Sequence, residues 1–237
     1  MLALGLGGLA VSAVGIAHQL LPRRFTAAQQ REITGWEMAR RWRVLPAGKI
    51  FPATVPYTVP ADFLNATTGL PLRAQLLAIS PQTSCAAAFS DTAAQVLDQD
   101  GCSAVLRATY VDASDSMVAT IAVAVLPDSG AASAAISGLG GTTSFVAAPG
   151  DVHALPVTGS PAAGFGDADR QLWSAIGAGP YVIMSTAGFA DDRQEPGVSD
   201  QYLSAEMTSF AAGLVTSAQN VLGRQPPTPV CPGAPGC

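Results

Sequence analysis

The middle of the chain alternates apolar and polar residues in a pattern that predicts paired β-strands. Residues 103–111 alternate in this way, which is typical of a strand with one buried face. The residues expected on that face are Ala104, Leu106, Ala108 and Tyr110. Residues 116–126 are almost continuously apolar and predict a second, more central strand. The turn-forming residues 112–115 between them predict that the two strands form a hairpin.

Helical spacing of apolar residues marks three other segments. Residues 199–222 give the strongest helix prediction, with Ser199 as the N-terminal cap. The apolar stripe of this helix consists of Leu203, Met207, Phe210 and Leu214. Residues 129–139 predict a helix of small residues, and residues 90–97 predict a short helix capped by Ser90.

Two more strands are predicted before the last helix, at residues 171–176 and 181–187. The order strand, strand, helix therefore occurs twice. We predict an α+β fold in which an antiparallel sheet has helices packed on one face, and the repeated order suggests a duplicated strand–strand–helix unit. Residues 72–79 fit a strand or a short helix, and residues 152–157 fit a short strand.

Prolines restrict the segment that opens the domain. Residues 51–65 alternate apolar residues with Pro52, Pro56 and Pro60. Proline cannot donate to a strand ladder, so a central strand is excluded. We expect an edge strand or an extended arm.

The first residues predict a membrane segment. Residues 2–21 carry no formal charge when His18 is neutral, and a helix of that length spans about 30 Å, the hydrocarbon thickness. A single-pass transmembrane anchor is the first interpretation, a cleaved signal peptide the second and a buried helix the third. The remainder divides into a basic juxtamembrane helix at 22–50, an α+β domain at 51–222 and a Pro/Gly-rich tail at 223–237.

The juxtamembrane stretch is basic and contains two tryptophans. It has seven basic and two acidic residues, and residues 26–42 predict a helix with Thr26 as its cap. Tryptophan and arginine are typical of the membrane interface. The residues predicted at this interface are Arg23, Arg24, Trp36, Arg40, Arg41, Trp42 and Arg43. The alternative is a solvated helix that packs its tryptophans on the domain.

All four cysteines lie in the body or the tail, at Cys85, Cys102, Cys231 and Cys237. None forms a CxxC pair and no histidine stands at zinc spacing, so disulfides in an oxidising compartment explain them better than a metal. Cys85 and Cys102 can pair if the helix between them is short. Cys231 and Cys237 would then pair with each other or stay free, since four cysteines allow three connectivities.

Charge and cysteines disagree about the side of the membrane that holds the body. Arg23 and Arg24 follow the apolar segment and no basic residue precedes it, so the positive-inside rule would keep the body in the cytoplasm. The cysteines favour export, and we predict a body on the extracytoplasmic side of the cell membrane. Beyond residue 50 there are five basic and fifteen acidic residues, which disfavours nucleic-acid binding.

Few residues suggest chemistry. His153 is the only histidine outside the apolar segment, and with Asp151 it could serve a hydrolase, but no G-x-S-x-G motif accompanies it. Residues 138–144 resemble a phosphate loop without its lysine. Asp167 and Asp169 lie among glycines but do not match a calcium loop. We therefore predict no catalytic, cofactor-binding or metal-binding residue, and surface turns instead.

The stretch 100–127 (DGCSAVLRATYVDASDSMVATIAVAVLP), preceded by residues 35–52, resembles membrane-anchored exported proteins of actinobacteria. The resemblance covers most of the body and implies an exported, tethered domain, but it carries over no functional residue. We predict a membrane-anchored extracytoplasmic binding or sensing domain without catalytic activity, whose ligand is a protein partner or an envelope component. The alternatives are a structural subunit of a membrane-associated assembly and a hydrolase that uses His153.

Overall fold

The structure is a computed structural model that describes residues 25–81, 83–140, 143–144, 152–191 and 201–227. The predictions for the membrane segment and for several single residues lie outside these ranges; those residues are Arg23, Arg24, Asp151, Ser199, Cys231 and Cys237. No helix within the described ranges has the length and hydropathy needed to cross a bilayer. One compact unit comprises Met38–Arg224, and a second comprises Met1–Glu37 with Gln225–Cys237.

The described residues form two long helices, four short helices and mostly long strands. The helices are α1 (Ala27–Val44), α2 (Ala47–Ile50), α3 (Cys85–Ala88), α4 (Asp91–Gln99), α5 (Ser129–Gly138) and α6 (Gln201–Leu222). The strands are β1 (Thr54–Val59), β2 (Leu70–Ile79), β3 (Ala104–Val111), β4 (Met117–Val125), β5 (Thr143–Ser144), β6 (Arg170–Ala178) and β7 (Tyr181–Phe189). Two 3-10 turns span Ala61–Leu64 and Asp167–Asp169.

All described strands form one antiparallel sheet in the order β1-β2-β3-β4-β7-β6-β5. The predicted hairpin of β3 and β4 is present, with Ala104 opposite Val125. Strand β1 contains Pro56 and lies at the sheet edge, which confirms the interpretation of the prolines. The α+β class and the antiparallel sheet are therefore confirmed.

Helices cover both faces of the sheet, whereas one covered face was predicted. On the first face α6 packs through Phe210 and Leu214 against strand residues such as Ile183. On the second face α4 and α5 pack through Leu97 and Ala135. The physical reason lies in β4, in which all nine residues are buried, because a strand without alternation needs cover on both sides.

The repeated order of elements is present as β3–β4–α5 and β6–β7–α6. Helix α5 packs on the second face, whereas α6 packs on the first. If the two hairpins were related by symmetry, the two-fold axis would run perpendicular to the sheet, between the antiparallel strands β4 and β7. Such an axis would place both helices on the same face. The repetition is therefore one of order and not of spatial arrangement.

Residues 152–157 do not form the predicted strand. Only Val152 pairs, as an isolated bridge with Phe89. The segment is instead held by side chains of the sheet: Thr109 Oγ1 donates to the carbonyl of Leu155 at 2.7 Å, and Thr120 Oγ1 accepts the N–H of Leu155 at 3.0 Å. Because these hydroxyls replace a neighbouring strand as partners, the segment crosses the second face without joining the ladder.

The C-terminal half of α1 belongs to the compact body. Trp42 exposes only 8% of its surface, and its backbone N–H donates to Tyr181 Oη at 3.3 Å. The guanidinium of Arg43 lies 4.7 Å from the centroid of the Trp42 ring. Arg41 Nη1 donates to the carbonyls of Leu222, at 2.8 Å, and of Arg224, so it caps the end of α6. Trp42 thus packs in the domain, which was the alternative to a membrane interface.

The N-terminal half of α1 carries the predicted cap and the second tryptophan. Thr26 Oγ1 accepts the N–H of Gln29 at 3.3 Å, which confirms the predicted cap. Trp36 exposes 60% of its surface, so it differs from Trp42, and its place at a membrane interface stays a prediction.

The predicted disulfide between Cys85 and Cys102 is present, with a Cα–Cα distance of 6.3 Å. Helix α4, between the two cysteines, is only nine residues long, which lets the loop close. Ser90 stands at the N-terminal cap position of this helix, but its hydroxyl makes no capping bond. The predicted cap position is therefore confirmed, although the Ser90 side chain does not form the capping bond.

Candidate functional site

Four charged or titratable residues lie around one segment on the second face of the sheet, and we call them the His153 cluster: Arg107, His153, Asp167 and Arg170. His153, Asp167 and Arg170 contact one another in turn through their side chains, and Arg107 bonds to the main chain of His153. Arg107 comes from β3, where the alternation places it opposite the face formed by Leu106 and Ala108. His153 comes from the segment that crosses this face. Asp167 lies in the 3-10 turn before β6, and Arg170 begins that strand.

A short hydrogen bond joins the imidazole to a carboxylate. His153 Nδ1 lies 2.5 Å from Asp167 Oδ2, and Asp167 Oδ1 accepts the N–H of Ala154 at 2.7 Å. Burial favours a higher pKa for Asp167, but the bonds from Ala154 and His153 and the nearby Arg170 outweigh it and hold that pKa below its ordinary value. The carboxylate therefore stays charged and fixes the ring orientation.

Arg170 holds the framework of the cluster. Its Nε donates to the carbonyl of Asp167 at 2.8 Å, and its Nη1 donates to the carbonyl of Val152 at 2.9 Å. The same Nη1 lies 3.5 Å from Asp167 Oδ1. Arg170 thus ties the turn before β6 to the segment that carries His153.

Arg107 has few partners in the part of the chain that the structure describes. There its Nη1 makes one long hydrogen bond, 3.5 Å, to the carbonyl of His153, and its Nε is buried without a partner. Burial lowers the pKa of Arg107, an effect that Asp167 opposes, yet a guanidinium remains charged in proteins. A partly buried cation with so few partners carries a desolvation cost that the protein does not offset.

Two more buried groups on this side of the sheet also lack partners. They are Ser90 Oγ and Trp173 Nε1. Trp173 exposes 4% of its surface and packs in the same core cluster as Val152 and Phe89. Buried polar groups are nearly always hydrogen-bonded, so these atoms, which have no partner among the described residues, are exceptions on this side of the sheet.

The His153–Asp167 pair is half of a hydrolytic triad. A carboxylate on Nδ1 leaves Nε2 to act as a base, but a nucleophile must lie within hydrogen-bond reach. No side-chain hydroxyl or thiol in the described ranges bonds to the His153 ring. The described residues of this cluster can therefore recognise a ligand, whereas hydrolysis would also require a nucleophile beside the His153 ring.

The other segments that the sequence suggested for ligand binding are the acidic turn with Asp169 and the glycine-rich residues 138–144. Asp169 Oδ2 accepts the N–H of Gly166 at 2.7 Å, so it closes the turn and does not converge with Asp167 on a cation. Three or more potential metal ligands are nowhere grouped among the residues described. Residues 138–144 are described only in part.

Sequence reasoning missed Arg107 and Arg170 and considered Asp167 only for calcium. The signal for Arg107 was present, because it is the one charged residue in the otherwise uncharged strand Ala104–Val111. The domain at 51–222 has four arginines and no lysine, and two of the four meet its only histidine here. Such convergence in an acidic domain marks the cluster as more than a solvated surface.

A second buried polar cluster lies on the first face. Glu206 on α6 exposes 6% of its surface, and Tyr57 Oη lies 3.4 Å from its Oε1. Burial and the nearby Asp112 raise the pKa of Glu206, against hydrogen bonds from Tyr202 and Tyr57 that lower it. A carboxyl that folding makes harder to ionise destabilises the domain once it is charged.

We expect Glu206→Gln to stabilise the protein at neutral pH. Folding raises the pKa of Glu206 above its ordinary value of 4.5. The neutral carboxyl therefore contributes its full stabilisation of the folded state below pH 4.5, and this contribution is lost as pH rises through the folded pKa. The glutamine side chain keeps the hydrogen bonds and cannot ionise. Urea unfolding from pH 4 to pH 8 should therefore show a difference between variant and wild type that grows with pH; a constant offset would contradict the assignment.

One surface cavity, of about 560 Å³, lies beside the β6–β7 turn. Its lining consists of Gly177, Ala178, Gly179, Gln219, Asn220, Gly223 and Arg224. These are glycine backbone and polar groups, so the cavity is not the apolar cleft that an apolar ligand requires.

Comparison of the chain with protein families, with curated proteins and with solved structures found no match.

Proposed function

We propose that this chain is an extracytoplasmic binding or sensing domain, tethered to a membrane through its N-terminal segment, that holds an anionic group of its ligand at Arg107. The observation that carries the proposal is the guanidinium of Arg107, for which the described residues supply one 3.5 Å hydrogen bond and no partner for the buried Nε. An oxyanion such as a carboxylate or a phosphate ester would supply the missing charge and acceptors.

Charge distribution supports an anionic ligand. The domain is acidic overall, so an anion is repelled from most of its surface. Arg107 and Arg170 are two of the four basic residues of the domain, and in this region they face Asp167 and, in the same turn, Asp169. Anionic groups would therefore be guided to this place and to few others in the domain.

The disulfide supports export. Paired cysteines persist in oxidising compartments and are rare in the cytosol. Cys85 and Cys102 join two segments of the body, so the body itself would need such a compartment to mature. The N-terminal apolar segment would supply export or tethering.

A structural subunit of a membrane assembly has less support. Such a role needs an extended apolar surface for a partner. The large apolar side chains that are exposed in the described ranges are Trp36, Val44 and Leu70. They lie on α1 and β2 and not on one broad sheet face, since helices cover both faces.

The test is anion binding by the full chain in mild detergent, with sodium sulfate and sodium acetate as separate probes. At constant ionic strength, each bound anion raises the melting temperature with its concentration. Replacing a charged hydrogen-bond donor costs about 1.5–3 kcal/mol, so we expect Arg107→Gln to weaken binding roughly tenfold to a hundredfold. The more effective probe identifies the class of oxyanion.

The matched control is Arg73→Gln, because Arg73 is an exposed arginine on β2. Sulfate also stabilises proteins without binding, and that effect would be equal in all three proteins. An equal response of wild type and Arg107→Gln to both probes would remove the proposal.

A further inference from the structure

We propose that His153 is the second recognition group of the Arg107 site and that the anion binds there together with a proton. This inference rests on the proposed function, since it assigns the regulation of the same site. The Arg107 guanidinium bonds to the main-chain carbonyl of His153 and lies close enough to Asp167, the partner of the ring, to interact with its charge, so an anion at Arg107 would lie near the segment that carries the ring. His153 exposes 36% of its side chain, which leaves the ring open to a ligand.

The ring geometry decides what His153 can offer. Asp167 is an acceptor at Nδ1, so Nδ1 carries a proton and Nε2 is the nitrogen left for a ligand. In the neutral ring Nε2 presents a lone pair, which repels an oxyanion. Once protonated, Nε2 becomes a donor and the ring a cation. An anion therefore prefers the protonated ring, and by linkage its binding draws a proton onto Nε2.

The charged groups around the ring are of both signs. Strand β3 contributes Arg107, and the turn before β6 contributes Asp167, Arg170 and Asp169, whose Oδ2 is bonded to the N–H of Gly166. The segment 88–90 that bonds to His153 is neutral, and Asp91 follows it at the exposed start of α4. Two arginines oppose a third positive charge, whereas Asp167 and the bound anion offset it.

Asp167 is therefore a positioning residue in this scheme. It does not touch the ligand, but it holds the ring through Nδ1 and supplies the fixed negative charge beside it. Its second oxygen is held by the Ala154 N–H, so the carboxylate cannot turn away when the ring is charged. The result is a site that binds its anion more tightly in acid, which suits a sensing domain that faces the cell exterior.

The experiment is calorimetric titration of the full chain in detergent with sodium sulfate, which does not itself titrate between about pH 5.5 and pH 8.5, where imidazoles change charge. Buffers of different ionisation enthalpy report the protons taken up per anion. We expect uptake approaching one proton at the upper end of the range, and an affinity that falls by up to about tenfold per pH unit there.

Two variants separate this inference from the proposed function. His153→Asn keeps a donor toward Asp167 and removes Nε2, so it should bind sulfate weakly and without proton uptake. Asp167→Asn should shift the pH dependence to lower pH, because the charged ring loses its counter-charge. Arg107→Gln should weaken binding at every pH by the same roughly tenfold to hundredfold factor.

The outcomes are distinct. Sulfate binding that depends on Arg107 but is flat with pH, or that keeps its proton uptake in His153→Asn, would overturn the proton coupling and leave the anion site standing. Absence of Arg107-dependent binding at every pH would overturn the proposed function and the coupling with it.

Discussion

Replacing both Cys85 and Cys102 by alanine is expected to lower the free energy of unfolding by about 3 kcal/mol. The disulfide closes a loop with a sequence separation of 17, and its loss returns conformational freedom to the unfolded chain. For a domain of this size that corresponds to a fall in melting temperature of about 6–12 °C. Thermal and urea unfolding of the full chain in detergent, with wild type under oxidising conditions, measure the difference.

The control is Cys231→Ala with Cys237→Ala, which retains the bond between Cys85 and Cys102 and should keep most of the stability. The same background tests export. On intact cells a membrane-impermeant maleimide should label Cys85 and Cys102 only after a reductant is added. Labelling that needs cell lysis and no reductant would place the body in the cytoplasm, as the positive-inside rule suggests, and would contradict the proposed localisation.

The elements of the fold were predictable where one physical rule dominated. Strand β3 alternates, and its predicted buried face agrees with the core. Pro56 could occupy only an edge strand, and it does. Helix α6 follows an apolar stripe that includes Phe210. The placement of helices on two faces was not predicted, because a continuous apolar run such as β4 reports burial but not which helix supplies the cover on each side.

The His153 cluster was not predictable from spacing along the chain. Arg107 and Arg170 are 63 positions apart in sequence, and both bond to the main chain of residues 152–153 because β3 and β6 belong to the sheet that this segment crosses. The sequence pairs His153 with the nearest acid, Asp151, whereas the structure pairs it with Asp167. Such a pairing depends on where the 152–157 segment crosses the sheet, and two threonine hydroxyls from different strands decide that.

Gly188 allows the turn that carries Asp167 to approach the sheet, and Gly188→Ala is expected to cost about 3 kcal/mol, at the upper end of overpacking effects. A Cβ at this position would lie 2.1 Å from the carbonyl oxygen of Asp169 and 3.0 Å from Phe165 Cε2. Gly188 stands in β7 between two paired neighbours, so the strand cannot move aside. The register shift between Arg170 and Leu172 leaves the Asp169 carbonyl over this glycine.

The matched control is Gly177→Ala, because Gly177 lies in the same sheet and a Cβ there meets nothing within 4 Å. That variant should unfold at nearly the wild-type urea midpoint, since only the clash distinguishes the two positions. If Gly188→Ala folds, the displaced turn should move Asp167 away from His153 and weaken sulfate binding as well. Equal stability of the two variants would mean that the turn yields without cost, and the rigid placement of Asp167 on which proton-coupled binding depends would lose its structural basis.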